Sequence, residues 1–354
     1  MLITREIDLV LDENLGVAAK ENISAYCGKL SERGLPAILS ADHFSLMIGV
    51  DGRYIYGVSN NADRYYRVFQ LPKRREGFRT ICEPLPILKM IQRWILDNIL
   101  SKIPPAKCVN SYIVGRSIKS NARLHLGQES LIKLDVKDFF GSISSHHVYK
   151  LFFDLGYTKA VSVFLSRLCT YKGFLPQGSP TSGSISNLVL RGVDEALLTF
   201  CTERKIRYTR YADDMCFSGT NIAAPDLIEF VRKNLGELGL KLNNDKMRIL
   251  KQSHRQIVTG IVVNKRLAVP RLRRQRLRQE IYYLKKFGFV SHAMNTDDSD
   301  PVALLRRLIG ECAFLMHIHS KDVVDIRDIE FLKALLREEL ARQRHWTNGD
   351  EDLF

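Results

Sequence analysis

No stretch of this 354-residue chain approaches the ~18–20 consecutive apolar residues needed to cross a bilayer as a helix. Met1 to Val10 alternate charged and aliphatic side chains without the apolar centre of a secretory signal, so the expected location is the cytoplasm, with no membrane partner. Paired cysteines are missing too. Cys27, Cys82, Cys108, Cys169, Cys201, Cys216 and Cys312 are odd in number and form no C-x-x-C, the usage of a reduced compartment with thiols in the core. Cys312, His317 and His319 are three candidate zinc ligands in an apolar helical stretch, one fewer than a structural site needs. Acidic residues are the last shortfall: 39 Asp and Glu stand against 53 Lys and Arg, a formal net charge of +14. Such a balance calls for a polyanionic partner. With no membrane segment, that partner is nucleic acid.

Against these absences stands one conspicuous stretch, Tyr211-Ala212-Asp213-Asp214, inside the apolar and aromatic run Ile206 to Phe217. Adjacent residues of a continuous strand point to opposite faces, so two Asp serving one site belong at a tight hairpin tip. Ile206, Tyr208 and Arg210 alternate on one side, and Met215 to Ser218 run to Gly219 on the other, which predicts strand, turn, strand. Alone, the pair reads first as an ordinary acidic turn. Upstream, Leu131 to Val136 form an aliphatic strand delivering Asp135 close to its end, before Asp138, Phe139, Phe140 and Gly141. Asp135 and Asp138 do not share a strand face, and Asp135 is the more embedded. A carboxylate among apolar neighbours is costly to ionise unless a cation compensates it. A bound metal ion would do so.

The remaining segments gain meaning from that pair. Tyr65 to Leu71 form a strand ending at Pro72, followed by the cations Lys73, Arg74 and Arg75, then Gly77 and a strand from Phe78 to Cys82. This is a hairpin with a basic tip, suited to phosphate. Pro84 and Pro86 open a helix with Leu88, Ile91, Ile95 and Ile99 on one face, and residues 1–60 read as a helical region without evident chemistry. A helix is expected from Val148 to Leu168, then the rigid turn Gly173 to Ser182, a helix from Ile185 to Leu198, and another from Pro225 to Leu240. Gln256 to Val263 read as a strand. From Leu267 the chain turns basic, with Arg271, Arg274 and Arg278 off the apolar face Leu277, Ile281 and Leu284. Cations with few matching acids favour a nucleic-acid groove through counterion release.

Taken in order, the Asp135 strand, the Leu175-Pro176-Gln177-Gly178-Ser179-Pro180 turn and the Tyr211-Ala212-Asp213-Asp214 hairpin resemble the motifs of a reverse transcriptase. The likeness covers roughly residues 60 to 265, from Leu71-Pro72-Lys73 through Lys246. Asn121-Ala122-Arg123-Leu124-His125 matches an N-A-x-x-H element and Val258-Thr259-Gly260 a V-T-G triplet, both associated with bacterial retron enzymes. The resemblance implies an α+β right-hand polymerase. Residues 1–60 would be an N-terminal helical region, 61–264 fingers and an antiparallel-sheet palm, and 265–354 a basic helical thumb.

It also implies site roles. Asp135, Asp213 and Asp214 would hold two Mg2+ ions, with Lys246 as a catalytic acid near the departing pyrophosphate. Lys73 and Arg79 would grip the triphosphate of a dNTP, Gln177 would contact the nucleotide, and Phe140 would exclude a 2′-hydroxyl. Asn121, His125, Val258, Thr259, Gly260, Arg271, Arg274 and Arg278 would bind RNA. Such an enzyme copies part of a cognate structured noncoding RNA from a guanosine 2′-hydroxyl into RNA-linked single-stranded DNA, in phage defence with an effector protein. No endonuclease, maturase or RNase H pattern follows the basic region, so template removal is expected to fall to a host RNase H. The competing expectations are a group II intron or diversity-generating reverse transcriptase, or a catalytically idle RNA-binding scaffold.

Overall fold

The computed structural model describes residues 17–73, 77–294, 300–319 and 326–348; Arg74 and Arg75 lie outside the described residues. The chain divides into two compact units, residues 1–116 with 132–249, and residues 117–131 with 250–354.

The first unit begins with helices α1 (Val17–Glu32), α2 (Ala41–Ile48) and α3 (Gly52–Asn60). Strands β1 (Tyr66–Pro72) and β2 (Phe78–Pro84) pair antiparallel, from Tyr66 opposite Pro84 to Pro72 opposite Phe78. Pro86 then starts α4 (Pro86–Asn98), whose Leu88, Ile91 and Ile95 are fully buried. Helix α5 (Ile118–Arg123) belongs to the second unit. The central sheet has the order β4-β5-β3-β6, made of β3 (Ser130–Asp135), β4 (Arg207–Tyr211), β5 (Asp214–Gly219) and β6 (Arg248–Lys251). Helices α6 (Ser145–Asp154), α7 (Lys159–Cys169), α8 (Ser182–Val189), α9 (Arg191–Glu203) and α10 (Ala224–Glu237) complete the unit. Leu134, Val136, Phe152, Leu165, Ile185 and Phe217 share its core. Each such side chain contributes about 1.5–3 kcal/mol by leaving water.

Two expected helices are in fact four. The apolar pattern from Val148 to Leu168 runs through Gly156, which takes φ +104° and breaks the helix between α6 and α7. The pattern from Ile185 to Leu198 is likewise divided at Leu190, where ψ is 0°. The turn between α7 and α8 is tied on all sides. Ser182 Oγ donates to the Pro176 carbonyl at 2.7 Å, and Ser179 Oγ donates to Oε1 of the buried Gln92 at 2.7 Å. The Cys82 N–H of β2 donates to the Gln177 carbonyl at 2.8 Å. Gly178 takes φ +126°, and a Cβ there would stand 3.0 Å from the Cys82 carbonyl oxygen. Gly178→Ala is therefore expected to lower the urea midpoint, by about 1–3 kcal/mol of stability for a residue held in a glycine-only conformation.

In the second unit the run read as one strand, Gln256 to Val263, is a hairpin. Strands β7 (Ile257–Val258) and β8 (Ile261–Val262) pair antiparallel around Thr259 at φ +46° and Gly260 at φ +85°. Helices α11 (Arg271–Met294), α12 (Pro301–Ile318) and α13 (Ile326–Asn348) follow. Leu277, Ile281 and Leu284 are buried as the pattern predicts, and Arg273 with Glu311 (2.6 Å) and Arg307 with Glu280 (2.7 Å) link α11 to α12. Tyr282, Tyr283 and Phe287 stay exposed among the cations of α11. Among the described residues no helix is long and apolar enough to cross a membrane.

All seven cysteines are free and buried. Burial raises the pKa of every one of these thiols.

Candidate active site

The β4–β5 hairpin closes with Tyr211 opposite Asp214, so Ala212 and Asp213 form its tip. Ala212 takes φ +56°, and its N–H donates to Ser111 Oγ at 2.8 Å. The Asp213 carbonyl accepts from the Val136 N–H at 3.1 Å, which fixes the tip beside the end of β3. At that end the Asp135 carbonyl accepts from the Asn243 N–H at 2.7 Å, and both carboxylate oxygens of Asp135 accept from Lys246 Nζ at 2.9 Å. Asp214 pairs with Lys133 at 3.2 Å. Asp135 and Asp214 thus each pair with a lysine, and both act on the charge of Asp213.

The acidities of Asp213, Asp214 and Lys133 reflect the crowding. Burial, then the charge of Asp135, pushes the Asp213 carboxyl up to about 6, and Lys246 offsets this only in part. Asp214 is raised because burial outweighs what Lys133 returns to it. Burial opposes the charge on Lys133, but Asp214, Cys216 and Asp135 more than compensate and raise its pKa. The lysines leave Asp213 under-compensated. Hard, crowded oxygens short of positive charge are a donor set suited to a divalent cation.

Beneath the tip lies a buried polar network. Arg210 is fully buried, its Nε and Nη2 donating to Asp194 of α9 at 2.9 Å and 2.6 Å. Its Nη1 donates to Asn187 Oδ1 of α8 and to the Ala212 carbonyl, each at 3.2 Å. Tyr208 donates to Asp194 at 2.8 Å, and Asn187 Nδ2 donates to the Ser111 carbonyl at 2.9 Å. One guanidinium therefore ties the β4–β5 hairpin to two helices, and Asn187 extends the network to Ser111.

Sequence reasoning did not single out Ser111, Tyr112, Lys133, Asn187, Asp194 or Arg210. Only Lys133 carried a usable signal, since it stands two residues before Asp135 on the same strand face.

The other expected site residues of the first unit stand in different settings. Phe140 is half-buried against Phe139, with ring centroids 5.2 Å apart, while Asp138 is exposed at φ +45°. Gln177 is half-buried and docked by its carbonyl on β2. Lys73 and Arg79 are exposed at the end of the β1–β2 hairpin, where the Lys73 N–H donates to the Gly77 carbonyl at 2.9 Å. The positive charge of Arg79 reaches Tyr112, which also feels Asp213.

Within the second unit, the two short elements read as RNA-binding are neighbours. Thr259 Oγ1 donates to the Ile118 carbonyl of α5 at 3.1 Å, and the Gly127 N–H donates to the Val263 carbonyl at 2.9 Å. Asn121, His125 and Val258 are fully buried, and both amide atoms of Asn121 lack a hydrogen-bond partner; Gly260 is exposed at the turn. Arg271 and Arg278 are exposed on α11, whereas Arg274 is half-buried.

Known proteins share this sequence pattern. The sequence profile of the reverse transcriptase (RNA-dependent DNA polymerase) family matches residues 71–263. The chain belongs to the reverse transcriptase family. Its relatives place it with the bacterial retron enzymes. It is 32% identical to the retron Mx65 reverse transcriptase of Myxococcus xanthus, over 72% of this chain and 65% of that one. It is 29% identical to the retron Ec86 enzyme of Escherichia coli, over 72% and 81%, and 30% identical to the retron Ec73 enzyme of the same species, over 72% and 90%. The match therefore spans just under two thirds of the Mx65 enzyme and most of the two from Escherichia coli. A telomerase chain from Candida albicans overlays on 81% of the protein at a TM-score of 0.44 and 12% identity, too distant a likeness to bear on the assignment. That family consists of RNA-dependent DNA polymerases, which generally use divalent metal ions.

Proposed function

We propose that the protein is the DNA-synthesising enzyme of a retron in the bacterial cytoplasm. It copies part of a cognate structured noncoding RNA from a guanosine 2′-hydroxyl into RNA-linked single-stranded DNA, and it works with an effector protein in antiphage defence. The convergence of Asp135 and Asp213 at one strand end and one hairpin tip carries the catalytic part of this reading. The pairing of the N-A-x-x-H and V-T-G elements within one unit supports the retron part.

Asp135 and Asp213, with Asp214 adjacent, would hold two Mg2+ ions, and the donor set fits them. When bound, such a pair would activate the primer hydroxyl and stabilise the leaving pyrophosphate. The chain's own residues supply the rest. Lys246 relaxes its hold on Asp135 and gives a proton to the leaving pyrophosphate. Lys73 and Arg79 bind the triphosphate, Gln177 contacts the nucleotide, and Phe140 closes the pocket to a 2′-hydroxyl. The fingers and palm occupy residues 61–264 and a thumb residues 265–354, whose Arg271, Arg274 and Arg278 grip nucleic acid through its phosphates. A host RNase H removes the copied template.

The test is to express the chain with its flanking noncoding DNA in a host lacking the system and to examine nucleic acid by gel, with and without ribonuclease and debranching treatment. RNA-linked single-stranded DNA is expected. Ordinary primer extension without that product would overturn the retron reading and leave a reverse transcriptase of another kind.

A further inference from the structure

A loop that no motif accounts for reaches the catalytic centre. It runs from Lys107 to Arg116 and is closed by Arg116 Nη1, which donates to the carbonyls of Lys107 (2.8 Å) and Val109. Its base is bonded to the catalytic hairpin. The Asn110 N–H donates to the Arg210 carbonyl at 2.8 Å, and Ser111 receives the Ala212 N–H. Anchored in this way, the loop presents Tyr112.

Three independent features mark that side chain. Its backbone is left-handed, with φ +57°, a conformation costing on the order of 1–3 kcal/mol in a non-glycine residue and one found preferentially at functional sites. Its ring lies over Gly183 of α8, where a Cβ would stand only 2.5 Å from Tyr112 Cγ. Its other neighbour is Phe140, with ring centroids 6.4 Å apart and planes inclined by 57°. The residue itself is 56% exposed.

We propose that Tyr112 is a positioning residue for Phe140, holding that ring at the place from which it selects the sugar of the incoming nucleotide. The proposal rests on the reading of Phe140 as the barrier to a 2′-hydroxyl. Phe140 is half-buried against the core, and its aromatic neighbours are the rings of Phe139 and Tyr112. Phe139 is core and fixes one side. Tyr112 fixes the other, and Gly183 leaves room for it to do so. Shape exclusion depends on position, so a ring free to swing away admits the larger sugar.

The purified full chain would be assayed with Mg2+ on poly(rC) primed by oligo(dG), comparing kcat/KM for dGTP and GTP. In Tyr112→Ala the preference for dGTP is expected to fall about tenfold, at the lower end of what shape exclusion in a pocket supplies. Gly183→Ala, which displaces the ring without removing it, is expected to lower the same ratio, and Tyr112→Phe to preserve it. A merely structural role would reduce turnover of both nucleotides together and leave the ratio alone. An unchanged ratio in Tyr112→Ala and Gly183→Ala, beside a lowered one in Phe140→Ala, would overturn the inference while sparing the Phe140 reading. An unchanged ratio in Phe140→Ala would overturn that reading and this inference with it.

Discussion

Asp213→Asn is expected to abolish DNA synthesis and, in the same preparation, to make the metal-free protein more heat-stable. The first effect follows from removing a ligand at the point where charge develops. Losing several kcal/mol of transition-state stabilisation, at about 1.4 kcal/mol per tenfold, lowers turnover by about a thousandfold or more. The second follows from the raised pKa of Asp213. A carboxyl whose folded pKa lies above its unfolded value binds its proton more tightly in the folded state. Its ionisation therefore costs stability above pH 6 or so, and that cost vanishes as the pH falls through the folded value toward the unfolded one, 3.8. Asparagine removes the charge and the cost. In EDTA the variant should exceed the wild type by on the order of 1–2 kcal/mol at pH 7.5, and the difference should close by pH 4. Thermal unfolding at the two pH values checks it, and synthesis persisting in the variant would sink the assignment of Asp213 as a ligand.

Arg210→Met should be the most destabilising change in the catalytic hairpin. It leaves the fully buried Asp194 with only the neutral Tyr208 hydroxyl and Cys108 thiol beside it, and breaking a buried pair from one side costs about 3–5 kcal/mol. Adding Asp194→Leu removes the stranded charge and should restore much of the urea midpoint, because apolar replacements for buried pairs are often tolerated. Activity should not return with it. The guanidinium also donates to Asn187 and to the Ala212 carbonyl, and neither bond survives in the double variant. Stability recovered without activity would separate the pair's part in folding from its part in aiming the tip. An Arg210→Met protein with the wild-type midpoint would show that the pair contributes nothing net.

The contrast between Asp213 and Arg210 shows what a sequence exposes. The tip was legible because two adjacent acids inside an alternating run have few homes other than a turn. Arg210 occupies an equally regular place in that run, and nothing local distinguishes a solvent-facing arginine from one sealed against a helix that starts 19 residues earlier. Burial is decided by partners distant in sequence. The same limit explains the split helices: Gly156 and Leu190 leave the apolar period intact while their backbone angles end the helix. It also explains the hairpin at Thr259, where a continuous apolar run concealed two left-handed residues. Tyr112 was hidden for another reason. It sits in an irregular loop, where neither the period of a helix nor that of a strand gives a side chain a direction.

The seven sealed thiols have a use beyond packing. A thiol reagent attacks only the thiolate, and burial both blocks its approach and keeps the proton in place. Each cysteine is thus silent in the native state and speaks when its surroundings open. Cys312 is the only cysteine of the second unit, and the other six belong to the first. The distribution provides a natural clock for each body: the rate at which Cys312 is trapped times the opening of the basic helices, and the other six time the opening of the catalytic body, with no label to be engineered into either.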